Sequence, residues 1–460
     1  MTTRRKIQLL FWAYFWLIIF EGAIRKWLLP GLSTPLLVIR DPIALAALFL
    51  GLPYLMNGPH RVWFWWMAWI GGSGFFLALL VGHRDLPTAL FGARIWLVHL
   101  PLILLFGQVF NRDDVWSFIR WTALVAIPMA VLIVMQYSLP QSHVVNVAPG
   151  GEEGGGFSGA LGRFRPPGTF SFTSGLAEFF GLAAAGIAAW MLGGPRPVPK
   201  WLWLSAAAAI AALPVSISRG LLFKYAFTGV AVAIAAIVGK RQLTGLLYGG
   251  VIIIVAGIAV SQVPVLQEAV TVFEHRWTTA TESEGRERGV RGVLSERVAG
   301  YTVGALPQLL EFPTLGHGIG LGTHFGALRV TGVRRFVIAE GVWGATLGEL
   351  GPILGIVALG LRVIMAGWLS VLAWRQARHG NTLPLLMVSF AFPLVFMGQT
   401  SQPTALGFIV LSAGLTLAAC NPTLAELKRR QAHRQAADLA SQALAGPGVV
   451  PPLRRFMPSA

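Results

Sequence analysis

Uncharged apolar runs about as long as a membrane is thick recur along this chain, and nothing else in the sequence constrains its fold as tightly. The segment at 243–263 reads LTGLLYGGVIIIVAGIAVSQV, and about 20 such residues in a helix cross the hydrocarbon layer. Backbone polar groups in lipid must be bonded within the chain, so repeated runs of this kind imply a helical bundle. Only 12% of residues are charged while 55% are hydrophobic, against roughly a quarter charged in ordinary soluble domains. The 17 Trp and 28 Phe suit interfacial belts and lipid-facing surfaces better than a soluble core. The expected class is therefore all-α: a polytopic transmembrane bundle of about 12 spans.

The spacing predicts spans near 7–24, 36–56, 62–81, 88–110, 115–137, 173–192, 200–215, 221–238, 243–263, 342–372, 383–398 and 404–420. The first follows Arg4, Arg5 and Lys6 like a signal peptide, but no small-x-small cleavage site is seen and more spans follow, so it reads as a retained helix. With the amino terminus inside, the inner connections hold His60, Arg61, Arg112, Arg196, Lys200, Lys240, Arg241, Arg375 and Arg378, and the tail adds Lys428, Arg429 and Arg430. That is the positive-inside pattern, and it places both termini in the cytoplasm. The net charge of +17 is spread between apolar stretches rather than gathered on one soluble domain, which argues against nucleic acid as a partner. A lone Cys420 leaves no intrachain disulfide and no multi-cysteine metal cluster.

Residues 1–420 thus form the expected transmembrane domain, with outer loops near 138–172 and 264–340, and 421–460 a cytoplasmic tail. The first loop carries PGGEEGGG at 149–156, a composition that suits a flexible tether. The second alternates Arg and Glu, including Glu274, Arg276, Glu282, Arg286, Arg291 and Arg297. Across Glu282 to Arg291 this pattern favours a solvated helical face. Thr423 and Glu426 have capping-box spacing for a helix after the last span. No clear internal repeat is detected, which weighs against transporters built from duplicated halves.

Arginines on the outer side are the informative residues, because topology alone would not put them there. Arg163 and Arg165 sit in GRFRPPGTF, Arg219 in SISRG, Arg276 in the second loop and Arg297 in SERVAGY. A guanidinium stays charged and donates two parallel hydrogen bonds, so several together could hold a pyrophosphate without a divalent metal. The competing interpretation has each arginine snorkel or pair with a loop glutamate. For Arg219, in a short turn between two spans, function is favoured over anchoring, whereas Arg25, Lys26 and Arg84 read as interfacial anchors.

A second cluster covers 313–351. Its GHGIGLG has no preceding strand and no βαβ unit, so a tight re-entrant turn is expected rather than a nucleotide loop. His324 and Glu340 are candidate proton acceptors, the glutamate if partial desolvation raises its pKa against the opposing charge of Arg334 or Arg335. Their structural alternatives are a satisfied turn histidine and a carboxylate stabilised by a helix N-terminus. For His317 the structural alternative is preferred. Glu21, Asp41, Glu178 and Glu349 fall in or beside spans and should face the bundle interior or an interface. No HExxH, Walker or EF-hand pattern occurs, so neither metal nor cofactor is indicated.

Taken in order, RPPGTFSFTSGLAEF at 165–179, SISRG at 216–220, ERVAGYTVGAL with FPTLGHGIG across 296–320, and GELGPILG at 348–355 resemble the O-antigen ligase and O-antigen polymerase superfamily. FEGAIRKWLLP and IRDP near the amino terminus resemble its exopolysaccharide-polymerase-like members. The resemblance implies a metal-independent, inverting membrane glycosyltransferase of the bacterial cytoplasmic membrane, with its active side outward. It implies a glycan on polyprenyl pyrophosphate as donor and a glycan or lipid as acceptor, among membrane lipids and beside polysaccharide export machinery. The family's outer-loop arginines bind the pyrophosphate, and a histidine entering the span after the large loop is the proposed base. This sequence departs there, since counting back from Glu349 puts that position on or near Glu340. Polymerase is the favoured activity on the amino-terminal motifs, with ligase and lipid-linked glycan transporter as alternatives.

Overall fold

The structure, a computed structural model, describes residues 1–238, 262–283, 299–300, 302–332 and 337–429, with isolated positions at 250, 257, 432, 433 and 435. Among the described residues, nine helices are long and apolar enough to cross a membrane, and two shorter apolar helices join them. The chain is thus a polytopic helical protein, as the apolar runs predict. The span expected at 243–263 lies outside the described residues, as do most of the tail and Glu284–Arg297 of the second loop.

The first helix, α1 (Thr3–Ala23), runs on through a π-helical turn at Ile24–Leu28; α2 (Arg40–Asn57) and α3 (Arg61–Leu80) follow. The fourth span is α4 (Leu86–Arg94) and α5 (Pro101–Val109), joined by a π-helical turn at Ile95–His99. Beyond α6 (Arg112–Ser138), strands β1 (Phe157–Ala160) and β2 (Arg163–Arg165) make an antiparallel hairpin. Then come α7 (Thr173–Gly193), α8 (Lys200–Val215), α9 (Arg219–Val238) and α10 (Pro264–Ser283). A 3-10 helix at Val303–Leu310 precedes the remaining described α-helices, α11 (His324–Thr331), α12 (Val342–Arg378), α13 (Leu383–Met397) and α14 (Pro403–Cys420). Helices α12, α13 and α14 pack in succession, and α14 lies on α5, so the last three helices close onto the first half.

Hydrogen bonds sort the connections into two ends. At one end Arg4 and Gln8 donate to Val109 O at 2.9 and 2.8 Å, Arg112 pairs with Glu426 at 3.1 Å, and Asn381 donates to Ala419 O. Asn111 and Asp114 form a capping box on α6, and Thr423 and Glu426 form the expected one after α14. At the other end His83 bonds Ile319 O, Arg329 pairs with Asp85, and Lys26 donates to Gly168 O. The basic connections cluster at the first end and the two long loops at the second.

Helix α12 is broken near its start. Gly351 stands at φ 74°, ψ 171°, a conformation open essentially only to glycine, and Pro352 follows it. Pro352 has no N–H for Gly348 O, its partner in a regular helix. The freed carbonyls of Gly348 and Glu349 accept instead from His317 N and Gly318 N at 2.8 and 2.9 Å. The GHGIGLG segment is therefore the tight turn expected, seated on a helix break.

Candidate functional site

The hairpin bearing Arg163 and Arg165 turns through Leu161 (φ 49°) and Gly162 (φ 74°), both left-handed as a type I′ turn requires. It rests on the Ser-Ile-Ser-Arg-Gly turn: a Cβ on Gly159 would lie 3.0 Å from Ile217 Cδ1. Ile217 is fully buried at φ 47°, an uncommon backbone state for a β-branched residue, so the turn that starts α9 at Arg219 carries local strain. Helix α10 packs on β1 of the hairpin, where Arg276 donates to Ser158 O and Gly159 O at 3.2 and 3.0 Å. Arg163 pairs with Glu268 of the same helix and lies over the Tyr137 ring. The hydrogen bond that Arg163 donates to that carboxylate holds its guanidinium above its ordinary pKa, firmly charged. Arg163, Arg165, Arg219 and Arg276 are thus brought to one corner of the loop end, whereas Arg297 lies outside the described residues.

His324 opens α11 behind its N-cap Thr323, is exposed, and stacks on Phe172 with ring centroids 6.4 Å apart and planes 7° apart. Phe172 meets Phe157 of the hairpin at 5.5 Å, so aromatic contacts connect His324 to the arginine corner. Glu340 precedes the N-cap Gly341 of α12 and is exposed, and its backbone carbonyl accepts from the Gln399 amide. The partial desolvation anticipated for its carboxylate is not found; Arg334 and Arg335 lie outside the described residues. Glu349 Oε1 accepts from Gly320 N and Gly322 N at 3.0 and 2.7 Å. It thereby fixes the loop that delivers Thr323 and His324.

Two expectations need correcting. Arg25 and Lys26 are not interfacial anchors: both are buried, 8% and 3% exposed, and point inward. Arg25 donates to Ser33 O and Ser171 Oγ and pairs with Glu21, which also binds Arg40 at 2.9 Å. Nor is 149–156 a free tether, because Gly150 N donates to Arg25 O and Gly156 N to Gln141 Oε1. A glutamine that composition does not flag holds the next segment. Gln136, 2% exposed, accepts from Gly168 N at 2.7 Å and donates to Gly168 O and Val145 O.

Glu21, Asp41 and Glu178 were expected to face the bundle interior or an interface; Glu21 and Glu178 are buried and Asp41 is partly buried, each with partners that the sequence did not supply. Asp41 takes two bonds from Arg94 at 2.7 and 2.6 Å and one from His99, whose other ring nitrogen meets Tyr14 Oη at 2.9 Å. Glu178 pairs with Lys224 at 3.2 Å, across a face where Gly181 leaves room for the lysine stem. Arg362 donates to Val395 O and Gly398 O, satisfying carbonyls at the end of α13. The available signal was the pairing rule itself: a charge inside a span needs a partner. Among the described residues, no three His, Cys, Asp or Glu side chains gather as metal ligands. Comparison of the chain with protein-family models, with curated proteins and with solved structures gives no match in any of the three.

Proposed function

We propose that this chain is a membrane glycosyltransferase that joins oligosaccharide units carried on polyprenyl pyrophosphate into a surface or extracellular polysaccharide. One observation carries the reading: Arg163, Arg165, Arg219 and Arg276 belong to three packed segments at one end of an apolar bundle, and aromatic contacts lead from them to His324. Guanidinium groups at a bundle end suit a pyrophosphate whose prenyl tail stays in lipid. The motif resemblance to the O-antigen ligase and polymerase superfamily supports the same assignment. The distribution of basic residues supports a cytoplasmic location for the opposite end, and hence an outward-facing site in a bacterial cytoplasmic membrane.

In the proposed step a base takes the proton of an acceptor sugar hydroxyl. Its oxygen forms a bond to the donor's anomeric carbon from the face opposite the leaving group, and configuration inverts. The anomeric carbon–oxygen bond breaks, and its electron pair departs on polyprenyl pyrophosphate, whose charge the arginines stabilise. Positioned donors of this kind are each worth roughly 10²–10³-fold in rate. His324 is the first candidate base, because the aromatic contacts reach it; Glu340 is the alternative.

The test is purified protein in lipid with a polyprenyl-pyrophosphate oligosaccharide. Growth into longer chains supports the polymerase. Transfer only to an added lipid or protein acceptor indicates the ligase. Donor crossing the membrane with no new glycosidic bond refutes the enzyme and favours a transporter.

A further inference from the structure

Phe157 and Arg165 are Cα partners across the hairpin, and directly opposed residues in an antiparallel pair put their side chains on the same face. From Phe157 the rings continue to Phe172 at 5.5 Å and from Phe172 to His324 at 6.4 Å. Phe157 and Phe172 are 36% and 47% exposed, although large aromatics at a packed junction are ordinarily covered. The order along this line is cation, ring, ring, imidazole, drawn from the hairpin, the start of α7 and the start of α11.

Anchoring in the lipid interface is the competing explanation for exposed aromatics at a bundle end. Anchors radiate from single helices towards lipid. These rings instead meet one another across three segments, and the hairpin carrying Phe157 is braced by Ile217 and by Arg276 of α10. An aromatic face carries negative potential, and the axial C–H face of a pyranose is apolar and weakly positive, so the two stack. Resting on the reading of the donor under Proposed function, we propose that Phe157 and Phe172 form the platform for the sugar next to the pyrophosphate. Arg165 lies at its phosphate end and His324 at its acceptor end. The charge order fits one occupant: a glycosyl pyrophosphate lying along the line, with its anomeric carbon between guanidinium and imidazole.

The test compares binding of farnesyl pyrophosphate with that of farnesyl pyrophosphate bearing glucose, galactose or N-acetylglucosamine, using the full chain in nanodiscs. The wild-type protein should bind at least one sugar-bearing probe about tenfold more tightly than the bare pyrophosphate. Phe172→Leu, which keeps apolar bulk but removes the ring, should abolish that increment and leave affinity for the bare pyrophosphate unchanged. Phe172→Trp should keep the increment. If the leucine variant does not reach the membrane, Phe157→Leu serves in its place. Absence of an increment for all three sugars in the wild type, or its persistence in the leucine variant, overturns the platform alone. Failure of bare farnesyl pyrophosphate to bind overturns the donor reading and the platform built on it.

Discussion

Replacing Gln136 with leucine should detach the loop that carries Arg165 while leaving the bundle intact. The Gln136 amide closes a ring of three hydrogen bonds: it accepts from Gly168 N and donates to Gly168 O and Val145 O. Gly168 O keeps a second donor, Lys26 Nζ at 3.1 Å, so leucine orphans only the Gly168 N–H and the Val145 carbonyl. An unsatisfied buried group costs about 1–3 kcal/mol, and the Val145 carbonyl, at a partly buried bond, counts for less, so the total is about 2–4 kcal/mol. That corresponds to local opening favoured by about 30- to 1000-fold. Hydrogen exchange of peptides spanning 163–171 should accelerate accordingly, with helices α5 and α14 unaffected. Gln136→Glu is the internal control. Its carboxylate still accepts from Gly168 N but donates nothing, so Gly168 N–H should stay protected while Val145 loses its donor. Unchanged exchange across 163–171 in both variants would refute the idea that Gln136 holds this loop.

Arg219→Lys keeps the charge but loses the planar fork, and glycan transfer should fall by at least about tenfold with normal membrane insertion; near-normal transfer would assign Arg219 to anchoring. The Asp85 carboxyl is held down to about 2 by the Thr88 hydroxyl and by Arg329. Its hold on α11 should therefore be full above the ordinary carboxyl range near 3.9 and fade as pH falls through about 2, read as exchange of 324–331 and abolished in Asp85→Asn. If His324 is the base, His324→Ala should abolish transfer and spare donor binding while Glu340→Gln is mild; the reverse order would move the role to Glu340, and full activity in both would remove it from either.

The spans were legible because a 20-residue apolar run has one stable arrangement in lipid, and the capping box at Thr423 and Glu426 because its bonds are local. Partnerships over long sequence separation were not. Arg25 and Lys26 near the end of α1 have the composition of an interfacial anchor, and only the arrival of Gly168 and Ser171 beside them turns them inward. The hairpin was hidden for a different reason. Its strands cover only four and three residues, too few for an alternation to register among glycines. His324 and the arginines were identified by residue type, but the ring of Phe172 that lies between them could be assigned only from geometry.

The sequence segments that carry the family resemblance are far apart in the chain but meet in pairs. FEGAIRKWLLP meets RPPGTFS, through Arg25 on Ser171 and Lys26 on Gly168. A Cβ on Gly22 would lie 2.3 Å from Thr169 O, so glycine there is a condition of the contact. SISRG meets the hairpin through Ile217. FPTLGHGIG meets GELGP, where a Cβ on Gly316 would lie 2.3 Å from Glu349 O and one on Gly351 2.3 Å from Thr314 O. In the first and last of these pairs a loop meets a helix with backbone against backbone, which no side-chain repacking can replace, whereas SISRG meets the hairpin through a side chain. Gly351→Ala should accordingly disturb more than the helix: it forces φ out of the glycine-only region, pushes the 313–318 segment off the break, and withdraws the support that Glu349 gives to Gly320 and Gly322 beneath His324. The expected result is faster exchange across 313–324 and loss of transfer together, with α13 and α14 unchanged. Loss of transfer with normal exchange in that loop would mean that the helix break serves the reaction by some route other than placing His324.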